Sequence, residues 1–526
     1  MEDKSKKQSK EFYLLEMLDE LEKKKLFTWT IFLLCAIASL INGMNSVSYV
    51  FMAEIPKFWC AIPEFVNDNW TTDQIRNISS ADDCHIFDFN YTYLASLGYS
   101  RAQEYVEEYE FMPKKVSCSS FIFNENGHST IVNEWELVCS NKVLRSNTFL
   151  VFVLGRITGY GILGIYSDKY GRRSALIISI ILLSIATPAS GAVPWFWGYI
   201  LLKFLTGVSV SATYSSAYTL MTEAVTKRKR KVFVALIECM HAIGTFFLVS
   251  LAYFIPDWRI LQLTLSSFVL PIIILIWLVP DSPRWLISQR RYDEAQKIIQ
   301  KYCGSTLTTP ICMTENATVG SPPEVFVTVK DNASFFSRNI ESLKILFLDS
   351  TIKKNILIMY FLCYATSTII YTLVFNIDNF KTDRYIYMIL ISVIELMSYA
   401  AVTVIQMFLS CRKINVIVYT NVFLLMMAIL VVPEDDKKII VGLALFGKFF
   451  SLASYMNLML LVAELFPSNV KNSGFGTCLI ASQLGSMSAT YIVDYLGNNA
   501  WWAPTTLSGI LALIANFLCF LLPEKN

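Results

Sequence analysis

Charge is what this chain of 526 residues has least of. Only 16% of it is Asp, Glu, Lys or Arg, against roughly 25% in an average soluble protein. A soluble chain this long would divide into about three or four domains, each needing a charged surface that this composition cannot supply. Net charge is also missing: 44 basic residues face 42 acidic ones, leaving +2. Bulk attraction to nucleic acid is therefore excluded. There is no GxSxG elbow, Walker loop or HExxH pair, and the cytoplasmic cysteines form no CxxC pair. These absences point away from an enzyme, a metal or cofactor site, and a self-contained ATP-driven pump. No secretory leader is expected, because residues 1–25 mix seven acids with seven lysines and the apolar run from Leu26 is too long for one.

What is present is hydrophobicity, at 54% of residues with a mean hydropathy of +0.47. That is the opposite of a disordered composition and leaves a polytopic membrane protein embedded in the lipid bilayer. A span takes about 20 mostly apolar residues. Twelve are read: 26–50, 148–166, 175–193, 195–221, 232–255, 261–279, 356–377, 385–409, 414–432, 439–465, 474–495 and 504–522. Helices are expected, since lipid leaves each backbone group to be satisfied within its own segment. The fold class is thus all-α.

The chain repeats itself. Glu223 and Arg230 recur as Glu464 and Lys471, Pro280-Asp281 as Pro523-Glu524, and Arg172-Arg173 as Arg412-Lys413, at spacings of 241, 243 and 240 residues. One spacing shared by three pairs indicates two six-helix halves of the same orientation. Basic residues crowd the N-terminus, the 2–3 loop (Lys169, Arg172, Arg173) and the 4–5 loop (Lys227 to Lys231), so these are expected to be cytoplasmic. The expected organisation is a cytoplasmic N-terminus (1–25), a first transmembrane helix (26–50), an extracellular cap (51–147), helices 2–6 (148–283), a cytoplasmic central loop (284–353) and a C-terminal half (354–526). The C-terminus stops four residues after Leu522, so no docking tail is expected.

The cap holds Cys60, Cys84, Cys118 and Cys139, enough for two disulfides in any of three pairings. It also holds sequons at Asn69, Asn77 and Asn90, expected to carry sugar. Two further sequons, Asn316 and Asn332, fall in the central loop and are expected to stay bare.

Between spans two and three runs Gly164-Ile165-Tyr166-Ser167-Asp168-Lys169-Tyr170-Gly171-Arg172-Arg173. Its glycines suit a tight turn, and its acid and arginines can pair across helix ends and hold one side shut. Glu223, Arg230, Glu464, Lys471 and Arg284 are expected in the same gating networks. The stretch resembles the signature of the major facilitator superfamily. Pro280-Asp281-Ser282-Pro283-Arg284-Trp285-Leu286, Asn133-Glu134-Trp135-Glu136-Leu137-Val138-Cys139 and Trp258-Arg259-Ile260-Leu261-Gln262 are similar to stretches of the organic cation, anion and zwitterion transporters, solute carrier family 22. The resemblance covers nearly the whole chain. It departs from the pattern at Asp281, Lys203 and Met397, and in the second-half copy of the gate, which is reduced to Arg412-Lys413.

The resemblance implies a glycosylated plasma-membrane carrier with cytoplasmic termini that moves small organic ions by alternating access, with nothing specifying an oligomeric state. Charges deep in spans are functional by default; here they are Arg156, Lys203, Glu238, Glu395 and Lys448. Glu395 matches a family glutamate linked to substrate handling, the alternative being an ion pair with Lys448. Arg156 and Lys203 are expected to pair within the first half, and His241 to be a packed polar residue. Tyr214, Tyr364 and Tyr371 match aromatic positions lining the family's cavity, and a desolvated cation over such a ring gains about 2 kcal/mol. At Gln483 cation carriers tend to have an acid and anion carriers an arginine, so that discriminator is silent. Glu395 tips the reading to organic cations or zwitterions, such as amines and carnitine-like compounds. An organic anion exchanger and a non-transporting, receptor-like member are the alternatives.

Overall fold

The computed structural model describes residues 14, 17, 18, 20–108, 114–124, 128–303, 350–380, 382–465, 468–497 and 500–523, excluding the side chains at 227, 228, 231, 351, 463, 464 and 468–473. Twelve long helical segments dominate it. They are α1 (Lys25–Val47), α2 (Lys142–Thr158), α3 (Arg172–Ala192), α4 (Phe196–Ala224), α5 (Lys227–Phe254), α6 (Trp258–Ser267, resuming as Leu270–Leu278), α7 (Ser350–Phe375), α8 (Arg384–Ile405), α9 (Cys411–Val431), α10 (Lys437–Leu465), α11 (Ser468–Tyr491) and α12 (Ala503–Phe520). Asp257 and Asp383 start α6 and α8 as side-chain caps, accepting the backbone N–H groups of Arg259 and Ile386 at 2.8 and 2.9 Å. The break in α6 falls where Pro271 enters the second piece, since proline suits a helix start and not its interior. A π turn, Gly159–Leu163, follows α2, and another, Ile492–Leu496, follows α11.

Among the described residues, eleven helices are long and apolar enough to cross a membrane. The segment expected to span at 474–495 is helical too, in α11, but richer in Gly, Ser and Thr than its neighbours. The reason is packing. A Cβ on Gly485 would collide with the carbonyl oxygen of Tyr364 on α7, and Ser367 and Ser482 hydrogen-bond across the same interface. Small residues of this kind let helices approach without a hydrophobic drive. The first half does the same where α1 meets α5, with Gly43 against the carbonyl of His241 and Gly244 against that of Leu40.

The helices pack in a repeated scheme. In the first half α1 meets α4 and α5, α4 meets α2 and α3, and α3 meets α6. Adding six to each number gives the packing of the second half: α7 with α10 and α11, α10 with α8 and α9, and α9 with α12. The halves meet through α5 with α8 and α2 with α11, two contacts that the same operation exchanges. The core runs continuously through both halves.

Between α1 and α2 sits a small folded unit. Strands β1 (Phe58–Cys60) and β5 (Phe121–Phe123) pair antiparallel, as do β2 (Ser80–Asp82), β3 (His85–Phe87) and β4 (Lys115–Ser117). Phe65, Ile75, Ile78 and Leu94 form its own core, with Phe65 stacked on Trp70 at 4.1 Å. Disulfides join Cys60 to Cys118 and Cys84 to Cys139. Asn69, Asn77 and Asn90 are all exposed.

Candidate functional site

The centre of the bundle brings together side chains from both halves. Glu395 on α8 and Lys448 on α10 are 3% and 1% exposed and form an ion pair at 3.4 Å. Ser398 donates to the Phe449 carbonyl one turn further along, at 2.8 Å, so the two helices are pinned at this level. Glu395 Oε2 has no hydrogen-bond partner among the described residues. Across the interface, the hydroxyl of Tyr214 on α4 donates to Glu238 Oε1 on α5 at 2.6 Å. Glu238 and Glu395 lie within electrostatic reach of each other. An apolar cluster fills the space where α5, α7, α8 and α10 converge: Ala242, Ile370, Tyr399 and Leu452, flanked by Cys239, Tyr371 and Tyr455. The result is an aromatic centre that gathers two carboxylates and Lys448, with Arg156 beside Tyr371 and Tyr455.

Of the expected site residues, Glu395, Lys448, Tyr214 and Tyr371 thus belong to this centre. Tyr364 turns to α11, where its hydroxyl donates to Ser488 at 3.1 Å. Gln483, on α11, is buried with its amide oxygen unpartnered among the described residues. Lys203 donates to Gln262 at 2.9 Å and meets the sulfur of Met52, partners within the first half but not carboxylates. Arg156 reaches the hydroxyls of Ser46 and Tyr160 in the first half and that of Tyr371 in the second. His241 is packed with Nδ1 unpartnered among the described residues.

At one end of the bundle, called here the motif end, lies the turn after α2. Arg172 bridges Asp168 at 2.5 Å and Glu223 of α4 at 2.9 Å. Asp281 accepts backbone N–H bonds from Ser282, Arg172 and Arg173 at 2.9, 3.1 and 3.4 Å, and Trp285 Nε1 donates to the Asp168 carbonyl. Gly171 has φ +105°, and a Cβ there would lie 2.5 Å from Asp281 Oδ2 and 3.1 Å from the Trp285 ring. Only glycine fits both constraints. Burial pushes the Asp281 carboxyl above the ordinary aspartate value, although the backbone donors and Arg172 pull the other way. Arg173 reaches the Ile276 carbonyl, and Arg230 sits beside Arg284 within reach of Glu223. Glu464 and Lys471 lie outside the described side chains. Ahead of α1, Glu22 accepts from the Thr226 N–H at 2.8 Å and pairs with Lys229 at 2.9 Å. Burial opposes its charge, but these bonds outweigh it and hold its carboxyl below the ordinary value.

The opposite, cap end carries a network that the sequence reading missed. Arg145 of α2 pairs with Asp494 in the turn after α11 at 2.7 Å, both side chains being less than 10% exposed. Ser146 also bonds Asp494, Lys142 donates to its carbonyl at 2.8 Å, and Tyr491 donates to Asn147 at 2.6 Å. Arg145 further donates to the Ala53 carbonyl and approaches Asp378 at 3.6 Å. Arg384, leading α8, bonds the Val50 carbonyl, Asp378 and Glu54. These contacts tie the first half to the second. Asp494 falls within the segment read as 474–495, so a charge inside a span was the available signal. Two family-like stretches also meet at this end, where Glu134 accepts from the Trp258 indole at 2.9 Å and from Arg259.

Two repeated six-helix halves, a buried polar and aromatic centre, and ionic clasps at both ends define a membrane carrier. Residues 84–526 match the model of the sugar (and other) transporter family, and the chain belongs to that family. It is 29% identical over 517 residues to mouse solute carrier family 22 member 4, covering 95% of this chain and 90% of that protein. It is 26% identical over 508 residues to the Drosophila melanogaster organic cation transporter protein (94% and 88% covered) and 27% identical over 517 residues to human organic cation/carnitine transporter 2 (95% and 89%). Among solved structures, the partially occluded inward-open xylose transporter XylE from E. coli superposes with a TM-score of 0.59 at 14% identity, covering 95% of this chain and 98% of that one. The chain is a transport protein, not an enzyme.

Proposed function

We propose that this protein moves small organic ions, cations or zwitterions in preference to anions, across the plasma membrane by alternating access around this centre. The observation that carries the reading is the pair of carboxylates, half-buried Glu238 and buried Glu395, set among tyrosines from both halves. Charges held this deep are costly, and tyrosine faces beside them favour a desolvated ammonium group. The names of the relatives, organic cation and organic cation/carnitine transporters, support the same class. In this reading the motif end is cytoplasmic, the folded unit between α1 and α2 is an extracellular glycosylated cap, and Arg172, Asp168 and Glu223 belong to the inner gate.

For a monovalent cation the membrane potential supplies about 2.3 kcal/mol per 100 mV. That sustains roughly 50-fold accumulation with no coupled ion. The test is uptake of a radiolabelled panel of amines, trimethylammonium carboxylates and organic anions at resting and depolarised potentials. Saturable uptake of an amine that falls on depolarisation, and that drops tenfold or more in Glu395→Gln, is expected. Flux of anions alone would make the protein an anion carrier. Binding of panel members without flux would make it a receptor.

A further inference from the structure

One cation at the aromatic centre is met by no carboxylate among the described residues. Arg156 of α2 is 5% exposed. Among the described residues its guanidinium meets only hydroxyls, those of Ser46 and Tyr160, both at 3.4 Å, the outer limit of a hydrogen bond, and that of Tyr371. Its Nε has no partner among the described residues. The other buried cations are better served. Lys448 has Glu395, Arg145 has Asp494, and Lys203 has the Gln262 amide oxygen at 2.9 Å.

A guanidinium cannot shed its proton, so burial without a counter-charge leaves a standing deficit that a bound anion would relieve. Its planar fork matches a carboxylate with two parallel hydrogen bonds. The position is also that of a ligand site. Tyr160, Tyr371 of α7 and Tyr455 of α10 surround Arg156 from both halves of the molecule. Tyr455 lies within reach of Glu238 as well, and Tyr160 and Tyr371 neighbour Tyr214 and Tyr399, which also lie within its reach. On that far side Glu395 Oε2 is unpartnered among the described residues. A positive pole and a negative pole thus face a shared aromatic wall.

We propose that Arg156 is a carboxylate subsite, and that the favoured substrate is a zwitterion whose carboxylate docks on Arg156 while its ammonium faces Glu238 and Glu395. This rests on the organic-ion reading above and narrows it. The test uses the full-length protein in proteoliposomes and two radiolabelled probes, a trimethylammonium butyrate and its methyl ester. A charge-assisted bidentate contact is expected to favour the acid over the ester by about tenfold or more. Arg156→Gln should bring the acid-to-ester ratio close to one, and Arg156→Lys should restore part of it. Equal handling of the two probes by the unaltered protein overturns the subsite and leaves organic-ion transport standing, as does an undiminished ratio in Arg156→Gln. Failure to carry either probe or any amine overturns both readings. If Arg156→Gln does not reach the membrane, the ratio measured on the unaltered protein and on Arg156→Lys decides.

Discussion

Glu395 and Lys448 show what a buried charge demands of its surroundings. Each is almost wholly enclosed and each has the other as its counter-charge. Removing one partner of such a pair strands the remaining charge and typically costs about 3–5 kcal/mol, whereas replacing both is often neutral. Lys448→Met alone should therefore lower the melting temperature of the purified protein more than Lys448→Met with Glu395→Gln. A double variant less stable than the single one would show that the charges do not compensate each other. These two residues were legible in the sequence because a charge within an apolar run stands out against its neighbours. Their geometry was not legible. A single helix does not reveal which partner each level of one face meets, so Tyr364 and Tyr371, two turns apart on the same face of α7, looked alike. The fold packs Tyr371 against the central cluster and sends Tyr364 to Ser488. Nor could Arg156 be seen to lack a carboxylate among the described residues, since it was expected to pair within its own half.

Among the elements, the stretches that carry the family resemblance act in pairs. The turn after α2 is held by Asp281 and Trp285 of the stretch after α6, and the stretch before α2 is held by Trp258 and Arg259 at the start of α6. Each was visible as a motif, but their partnership needs the fold that brings α6 beside α3. The cap-end clasp between α2 and α11 had no motif at all. Arg145 stood just outside the span expected to begin at 148, and α2 begins six residues earlier because helix continues beyond the apolar segment. The clasp has a direct consequence. Asp494→Asn leaves Arg145 buried without its main counter-charge, and the truncation of one partner in such a pair costs about 2–5 kcal/mol. That cost falls on the state in which the cap end is closed, so the population with this end open should rise. Thr490, 1% exposed beneath the clasp, offers a reporter. A cysteine introduced there should react with an impermeant maleimide at least several-fold faster in the Asp494→Asn background. An unchanged rate would mean that Arg145 and Asp494 do not control access.

At the scale of the whole molecule, three short echoes about 240 residues apart correspond to a packing scheme that repeats helix by helix, with α5–α8 and α2–α11 as the seams. Among the described residues, the ionic bridges between halves gather at the cap end, while those of the motif end stay within the first half. The proposed orientation rests on a different property, the asymmetry of basic residues across short loops. Net charge near zero conceals it, because the acids and bases are balanced in number but not in place. The asymmetry makes a prediction independent of transport. Asn69, Asn77 and Asn90 are exposed on the cap, and sugar is added only on the lumenal face, so the expressed protein should lose mass on deglycosylation. That loss should vanish in the triple variant Asn69→Gln, Asn77→Gln, Asn90→Gln and persist when Asn316 and Asn332 are replaced instead. The opposite pattern, with sugar only on the central loop, would turn the molecule over. The motif end would then face outward, and the clasp between Arg145 and Asp494 would become the inner gate.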